Sequence, residues 1–261
     1  MNKDFSELAE GKKIYFASDF HLGAPNDQES RLRESKIVEW LDQIKEDAAA
    51  VFLVGDIFDF WFEYKYSIPK GFIRFLGRVA ELSDSGIPVI FYTGNHDMWM
   101  ADYFPVELNV ELERHPKDYQ IGNKKFHIGH GDGLGPGDRT YKMLKKVFAN
   151  KFCQWLFHWL HPNLGMGLAK AWSRQSRAHN AESDGGFDPE NEWIMSYCKS
   201  REEEAHFDYY IFGHRHLPID YQLNDESRYI NLGEWVTQYN YGVFDGEHFE
   251  LKKFESNKQP A

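Results

Sequence analysis

One pattern recurs five times along the 261 residues: an apolar, strand-forming run ends and is followed closely by Asp, Asn or His. The five segments are SDFH (18–21), VGDIFD (54–59), TGNHD (93–97), IGHGD (128–132) and FGHRH (212–216). In four of them a glycine stands directly before the polar residue, where it lets the backbone turn sharply and approach a bound group. Ligands of α/β sheets bind at the carboxyl ends of the strands. The pattern therefore predicts that the five segments converge on one site.

The elements between these segments predict the fold. Strand and helix patterns alternate at 12–21, 33–48, 50–61, 68–82 and 88–97, which favours an α/β fold with a largely parallel or mixed central sheet. Short strand runs separated by turns follow at 124–132, 207–216, 218–223, 228–233 and 241–254. We expect these later runs to form a second sheet packed on the first, giving a two-sheet αββα sandwich.

Residues 138–182 interrupt the strand pattern with a helical, aromatic-rich segment that also carries many Lys and Arg residues. Its apolar side chains recur at helical spacing, which is typical of an ordinary helix packed on the core. A basic, aromatic cap over an anion site would also suit a lipid-linked anion, since it offers a groove for acyl chains and cations for phosphates. We expect a single domain over 1–261 with this segment as a helical lid.

Composition limits the function classes. The formal net charge of −11 argues against nucleic acid as a partner, because phosphate binding needs a concentrated basic surface. The two cysteines, Cys153 and Cys198, do not indicate a disulfide framework, and a reducing cytoplasm fits them. We find neither an apolar leader nor a run of about 18 apolar residues. Any membrane contact is therefore expected to be peripheral.

The polar residues of the five segments form a ligand set of nitrogen and oxygen donors without thiolate, which suits Mn²⁺, Fe²⁺ or Zn²⁺. The set is Asp19, His21, Asp56, Asn95, His130, His214 and His216. Asp19 and His21 are two residues apart, as are His214 and His216, so each pair is expected to face one side of a strand end. Seven ligands exceed one tetrahedral zinc centre, so we predict two divalent metal ions that share the carboxylate of Asp56.

Each motif alone is weak, since Asp and Asn also form turns and a buried His is often only hydrogen-bonded. The fixed order of five motifs favours the metal site. The remaining histidines that we considered are interpreted as surface or packing residues: His115, His127, His158, His161 and His206.

The order D-x-H, G-D-x-x-D, G-N-H-D, G-H and G-H-x-H resembles the calcineurin-like metallophosphoesterase superfamily over nearly the whole chain. Within it, SDFHLG, VGDIFDFW, the HGD at 130–132 followed by Tyr141, and SRAHN (176–180) resemble the bacterial UDP-2,3-diacylglucosamine hydrolase family of the lipid A pathway. The resemblance implies cleavage of a UDP-linked diacylated glucosamine to UMP and 2,3-diacylglucosamine 1-phosphate. It also implies Mn²⁺ and a peripheral location on the cytoplasmic face of the inner membrane.

The resemblance assigns ligands and substrate contacts. One metal would be held by Asp19, His21, Asp56 and His216, and the other by Asp56, Asn95, His130 and His214. The substrate contacts that it implies are Asn95, His96, Asp138, Tyr141, Ser176, Asn180 and His214. Two positions depart from the family pattern, because His96 stands where Arg is typical and Ser183 stands where a basic residue is expected.

The expected reaction is hydrolysis by water, with two cations about 3.5–4 Å apart activating it and clamping the phosphoryl oxygens. We assign His96, with Asn95, to catalysis, either by stabilising those oxygens or by protonating the leaving group. Asp59 and Asp97 are expected to orient ligand histidines or to cap turns. Two alternatives stay open: a phosphoesterase for another phosphodiester or nucleotide, and a metal-binding scaffold without catalysis.

Overall fold

The structure, a computed structural model, describes residues 5–136, 139–169, 171, 173 and 186–256. Its strands are β1 (Lys13–Ala17), β2 (Ala48–Val54), β3 (Val89–Tyr92), β4 (Glu111–Glu113), β5 (Lys117–Ile121), β6 (Lys124–Ile128), β7 (Tyr209–Phe212), β8 (Pro218–Gln222), β9 (Arg228–Leu232), β10 (Asn240–Phe244) and β11 (Phe249–Lys253). Its helices are α1 (Asp27–Ile44), α2 (Ile73–Asp84), α3 (Tyr103–Leu108), α4 (Arg139–Ala149), α5 (Lys151–His158), α6 (162–169) and α7 (Trp193–Glu204).

The strands form two mixed sheets. The first has the order β11-β10-β1-β2-β3-β4, with parallel pairing from β1 to β4 and antiparallel pairing of β10 with β1 and β11. The second has the order β5-β6-β7-β9-β8, with β6, β7 and β9 parallel. Because β1, β2 and β3 run parallel, their carboxyl ends lie at one edge of the first sheet, and β6 and β7 end together in the second.

Three hydrophobic layers explain why the strands are apolar on both faces. Side chains such as Phe16, Phe52 and Ile211 pack between the two sheets. The outer face of the first sheet is covered by α1, α2 and α3, with Trp40 fully buried there. The outer face of the second is covered by α7, whose Cys198 is buried against that sheet. The predicted α/β class with two packed sheets is confirmed.

Several predicted elements need correction. The run 241–254 does not join the second sheet, because it turns back as β10 and β11 and extends the first sheet beside β1. The apolar run 50–61 is a strand only to Val54, and the rest is loop. Helix α1 starts at Asp27, where the side chain of Asn26 caps it by accepting the Glu29 amide, and α2 starts at Ile73 rather than at 68.

The segment after β6 forms α4, α5 and α6, which pack on the loops that follow β2 and β3. The Trp99 indole N–H donates to the Phe148 carbonyl at 2.7 Å, and the Phe157 ring lies 4.6 Å from that of Phe62. We call α4–α6 the cap. Among the described residues, no helix combines the length and the apolar character needed to cross a membrane.

Candidate metal centre

Five of the seven predicted ligands have a left-handed backbone. The φ angles lie between 45° and 70° at Asp19, His21, Asp56, His214 and His216. This conformation is uncommon for residues other than glycine, and such strain, which costs about 1–3 kcal/mol per residue, clusters at functional sites. Asp19 and His21 do contribute to one group of ligand atoms, as expected, but His214 and His216 do not, and none of the four lies on a strand, since β1 ends at Ala17 and β7 at Phe212. Left-handed turns, not strand alternation, aim these side chains.

One group of potential ligand atoms comprises Asp19, His21 and His216. The two Nε2 atoms of His21 and His216 are 3.1 Å apart, and Asp19 Oδ1 lies 3.1 Å from His216 Nε2 and 3.7 Å from His21 Nε2. His21 and Asp19 are fully buried. Two imidazole nitrogens and a carboxylate oxygen that face each other at these distances suit a shared cation.

A second group comprises Asp56, His130 and His214. Asp56 Oδ2 lies 3.3 Å from His130 Nε2 and 4.0 Å from His21 Nε2, so one carboxylate oxygen stands between the two groups. His216 belongs to the first group and His214 to the second, although only Arg215 separates them in the sequence. The second group is buried except for the partly exposed His214.

The donor atoms fit divalent cations. Among the described residues, several buried side-chain atoms of this centre have no hydrogen-bond partner, including Asp19 Oδ1, His130 Nε2 and Asn95 Oδ1. Buried polar atoms without partners are costly and rare, so a concentration of them in one place is typical of a ligand-binding site. Carboxylate, amide and imidazole donors are the set that Mn²⁺, Fe²⁺ and Zn²⁺ accept. The residues present fit the predicted cations.

Backbone hydrogen bonds fix the loops that carry these side chains. The amides of Asp19 and His21 donate to the carbonyls of Gly55 and Asp56, at 3.0 and 2.9 Å. The amide of His214 donates to Asp19 Oδ2 at 3.0 Å. The loops after β1, β2 and β7 therefore form one interlocked unit.

His130 is oriented by a contact that sequence reasoning missed. Its Nδ1 lies 2.9 Å from the carbonyl oxygen of Val54, which can only accept, so Nδ1 carries the proton and Nε2 presents its lone pair to the centre. Metal-bound imidazoles commonly need such a second hydrogen bond. The sequence gives no sign of a backbone carbonyl that accepts this hydrogen bond, because every residue has one. An Asp or Glu side chain in that role would have been visible in the sequence.

Burial and neighbouring charges shift the pKa values of the side chains of the centre. Burial lowers the pKa of His21 and His214 to about 4. Burial alone would also lower the pKa of His130, but the carboxylate of Asp56 and its neighbours raises it to about 10. Burial alone would raise the pKa of Asp56, yet the histidines around it hold it well below its usual range. A cation would replace the proton on His130, because both need the same lone pair.

Asp97 and Asp59 differ in what they contact. Asp97 accepts backbone amides of Ile57, Phe58 and Gly94 at 2.8, 3.3 and 2.7 Å, so it caps the loops rather than orienting a histidine. Burial and the nearby Asp56 raise its pKa to about 7. Asp59 Oδ1 lies 3.9 Å from Nδ1 of both His21 and His96, which is beyond hydrogen-bond range.

His96 is held between the core and the cap. Its Nδ1 lies 3.0 Å from the Asp59 carbonyl oxygen and 3.0 Å from the hydroxyl of Ser173. Its amide donates to Asp56 Oδ1 at 2.8 Å. The structure thus places His96 beside the centre. Of the other predicted substrate contacts, Asp138, Ser176 and Asn180 lie outside the described residues, as does Ser183, and the side chain of Tyr141 is not described.

An apolar cavity of about 340 Å³ adjoins the centre beneath the cap. Its polar lining residues are Asp59, Asn95, His96, Lys145 and Ser173. The rest of the lining is chiefly aromatic and aliphatic: Phe60, Trp61, Met98, Trp99, Phe148, Phe157, Leu168 and Ala169. An apolar cavity with a few convergent polar groups is the usual form of a small-molecule site.

Residues 12–218 match the family described as calcineurin-like phosphoesterase. The chain belongs to this family. A UDP-2,3-diacylglucosamine hydrolase of Porphyromonas gingivalis is 39% identical over 256 residues, covering 93% of this chain and 98% of that protein. One of Vibrio atlanticus is 26% identical over 258 residues, with the same two coverages. The predicted family resemblance is confirmed.

Among solved structures, a phosphoesterase from E. coli, Yfce, is 16% identical with a TM-score of 0.42, covering 88% of this chain and 87% of that one. That likeness is too low to bear on function. The similarity in sequence to the UDP-2,3-diacylglucosamine hydrolase of Porphyromonas gingivalis covers 93% of the chain and so includes the cap as well as the sheets.

Proposed function

We propose that the chain hydrolyses the pyrophosphate bond of UDP-2,3-diacylglucosamine to UMP and 2,3-diacylglucosamine 1-phosphate. The observation that carries the proposal is an apolar cavity that opens on a centre of metal-ligand residues, in a chain 39% identical to a protein of that name. A substrate with a charged diphosphate and two acyl chains needs both features at adjacent positions. A phosphoesterase for soluble nucleotides would need only the metal centre and not the apolar cavity.

Two divalent metal ions would be held by residues of this centre, with Mn²⁺ the expected ion. Asp19, His21, Asp56 and His216 would hold one, and Asp56, Asn95, His130 and His214 the other. When bound, the pair lowers the pKa of water and neutralises charge on phosphoryl oxygens. The buried positions of Asp19, His21 and Asp56 keep competing solvent from the centre.

His96 is proposed to contact the substrate. Since its Nδ1 is used by the Asp59 carbonyl and by Ser173, Nε2 remains for a phosphoryl or leaving-group oxygen. Because the Asp59 carbonyl oxygen can only accept, Nδ1 carries a proton, so only the doubly protonated imidazolium can also donate a hydrogen bond from Nε2 to such an oxygen. His96 would thereby serve where Arg is typical in the family. Asp138, Tyr141, Ser176 and Asn180 remain proposed substrate contacts.

The cap is proposed to be a lid inserted at about 138–182 in a single domain over 1–261. Its inner aromatic residues, such as Phe148 and Phe157, line the apolar cavity and would contact the acyl chains. Its outer face exposes large apolar side chains, with Trp159 75% and Phe152 63% accessible. We propose that this face binds the cytoplasmic surface of the inner membrane peripherally, where a diacylated substrate resides.

Product analysis tests the proposal directly. The wild-type protein with Mn²⁺ should release UMP from UDP-2,3-diacylglucosamine, and Asp56→Ala should release none. The deacylated UDP-sugar is the matched substrate and should be cleaved far more slowly. Equal cleavage of both substrates would exclude a lipid role for the cavity, and absence of UMP from the wild type would exclude the reaction.

A further inference from the structure

A second cavity, of about 380 Å³, borders the metal centre at a different edge. His130 lines it, whereas Asn95 and His96 line the apolar cavity. Its walls come from the end of β3, the loop after β4, the loop after β6 and helix α4. We call it the basic cavity, and its described lining residues are Tyr92, Thr93, Arg114, His115, Pro116, His130, Gly131, Asp132, Gly133, Leu134, Lys142, Lys145, Lys146 and Ala149.

Charge distinguishes the two cavities. Three lysines and an arginine line the basic cavity, although the whole chain has a formal net charge of −11. Asp132 is the one acidic residue in that lining, and its carboxylate is paired with Lys145, 2.5 Å away. Lys146 is exposed and makes no ion pair within the described part of the chain. The cavity thus carries an excess of positive charge, which indicates an anionic ligand.

Lys145 lies where the two cavities meet. It lines both of them, and its Nζ is held 2.5 Å from Asp132 Oδ2 and 3.1 Å from the Asp132 carbonyl. Asp132 is buried two residues after His130, so the same loop positions a candidate metal ligand and this cation. A molecule bound across the centre would therefore meet Lys145 at its middle, with one end among aromatic residues and the other among cations.

We propose that the basic cavity binds the nucleoside monophosphate half of the substrate, so that the diphosphate crosses the metal centre beside Lys145. The inference rests on the proposed function for the identity of the substrate. It follows from the contrast between the cavities: acyl chains need the apolar one, and the nucleotide end then occupies the polar space on the His130 side. Backbone at Gly131 and Gly133 and the rings of His115 and Pro116 provide surfaces for a ribose and a planar base.

Inhibition by UMP tests this site without the lipid substrate. Hydrolysis of bis-p-nitrophenyl phosphate by the Mn²⁺-loaded protein is measured with UMP, uridine and inorganic phosphate as inhibitors. UMP should inhibit more strongly than phosphate or uridine. Lys146→Glu should raise the UMP inhibition constant about tenfold, since it replaces one charge-assisted contact by repulsion. Lys199→Glu, an exposed lysine of α7 that does not line the cavity, is the matched control and should leave the constant unchanged.

Arg114→Lys is the second variant, because the Arg114 guanidinium also donates to the Met98 and Met100 carbonyls and its full removal would disturb the loop. Equal UMP constants in wild type, Lys146→Glu and Arg114→Lys would overturn the assignment. The assignment would also be overturned if inorganic phosphate inhibited as strongly as UMP and its inhibition were weakened equally by Lys146→Glu. The cavity would then recognise the phosphate group alone. If the wild type did not cleave UDP-2,3-diacylglucosamine but Lys146→Glu still raised the UMP inhibition constant, the proposed substrate would be wrong. The nucleotide site would still be supported.

Discussion

The loops of the metal centre and the cap are built by opposite principles. In the loops, Asp19, His21 and Asp56 are buried, adopt left-handed backbone conformations and are tied together by main-chain hydrogen bonds. In the cap, Trp155 and Trp159 are more than half exposed, and the rings of Phe148 and Phe157 in helices α4 and α5 contact those of Phe62 and Trp99 in the core.

This difference separates chemistry from substrate selection. A strained conformation persists only where the surroundings over-determine it, which gives the loops one geometry for a demanding reaction. Apolar contacts are non-directional and tolerate change, so a cap of this kind can vary its ligand without disturbing the centre. Variants of the loops should therefore affect every substrate, whereas variants of the apolar residues of the cap should affect only lipid-bearing ones.

The largest effect is expected from Asp56→Ala, because its carboxylate stands between both ligand groups. Hydrolysis of both the lipid substrate and bis-p-nitrophenyl phosphate should fall by about a thousandfold or more, since several kcal/mol of stabilisation disappear with the metal pair. Elemental analysis should show less than the wild-type metal content. The control is Asp208→Ala, which removes a carboxylate paired with Lys124 away from the centre. Full activity of Asp56→Ala would contradict the assignment.

Gly94→Ala should have the next largest effect. A Cβ at this position would lie 2.2 Å from Asp56 Oδ1 and 2.7 Å from the Asp56 amide nitrogen, so the loop must shift. We expect about a hundredfold loss on both substrates and a loss of about 1–3 kcal/mol in the free energy of unfolding, as for other overpacked sites. Rates and chemical denaturation measure the two effects.

The matched control for Gly94→Ala is Gly77→Ala in helix α2. A Cβ there meets no atom within 4 Å, and alanine is favoured over glycine inside a helix by about 1 kcal/mol. Gly77→Ala should therefore stabilise the fold and leave the rates unchanged. Equal losses from both substitutions would mean that the loops are not specially constrained.

The sequence predicted the convergence of the ligands because the ends of apolar strands are set by local chemistry. Residues 51–54 are apolar because both faces of β2 are covered. A charged residue such as Asp56 has polar partners only beyond the end of the strand. The order of β1, β2 and β3 then follows from short connections and parallel pairing. These features depend on residues that are close together in the sequence, so the sequence alone predicts them.

Other features depended on contacts between distant residues. The run 241–254 was placed in the wrong sheet because its partner, β1, lies more than two hundred residues away and strand pairing leaves no local pattern. The left-handed turns at His214 and His216 and the Val54 carbonyl that orients His130 were missed for the same reason.

A smaller and more selective effect is expected from Phe148→Ala in the apolar cavity. Loss of an aromatic wall should raise KM for UDP-2,3-diacylglucosamine about tenfold, in the range of a lost apolar contact. The deacylated UDP-sugar and bis-p-nitrophenyl phosphate should be cleaved at wild-type rates, because neither would reach this wall. A parallel loss on all three substrates would mean that Phe148 supports the centre itself, and the distinction between loops and cap would fail.

The smallest effect is expected from Trp155→Ser combined with Trp159→Ser on the outer face of the cap. Binding to vesicles of anionic phospholipid, measured by sedimentation, should weaken about threefold to tenfold, because two interfacial rings lose their apolar burial. Hydrolysis of bis-p-nitrophenyl phosphate in solution should not change. The control is Ile73→Ser with Val106→Ser, two side chains that are at least as exposed but lie outside the cap. If the control pair weakened vesicle binding as much as the tryptophan pair, exposed apolar area in general would drive the interaction. The outer face of the cap would then not be a specific membrane-binding surface.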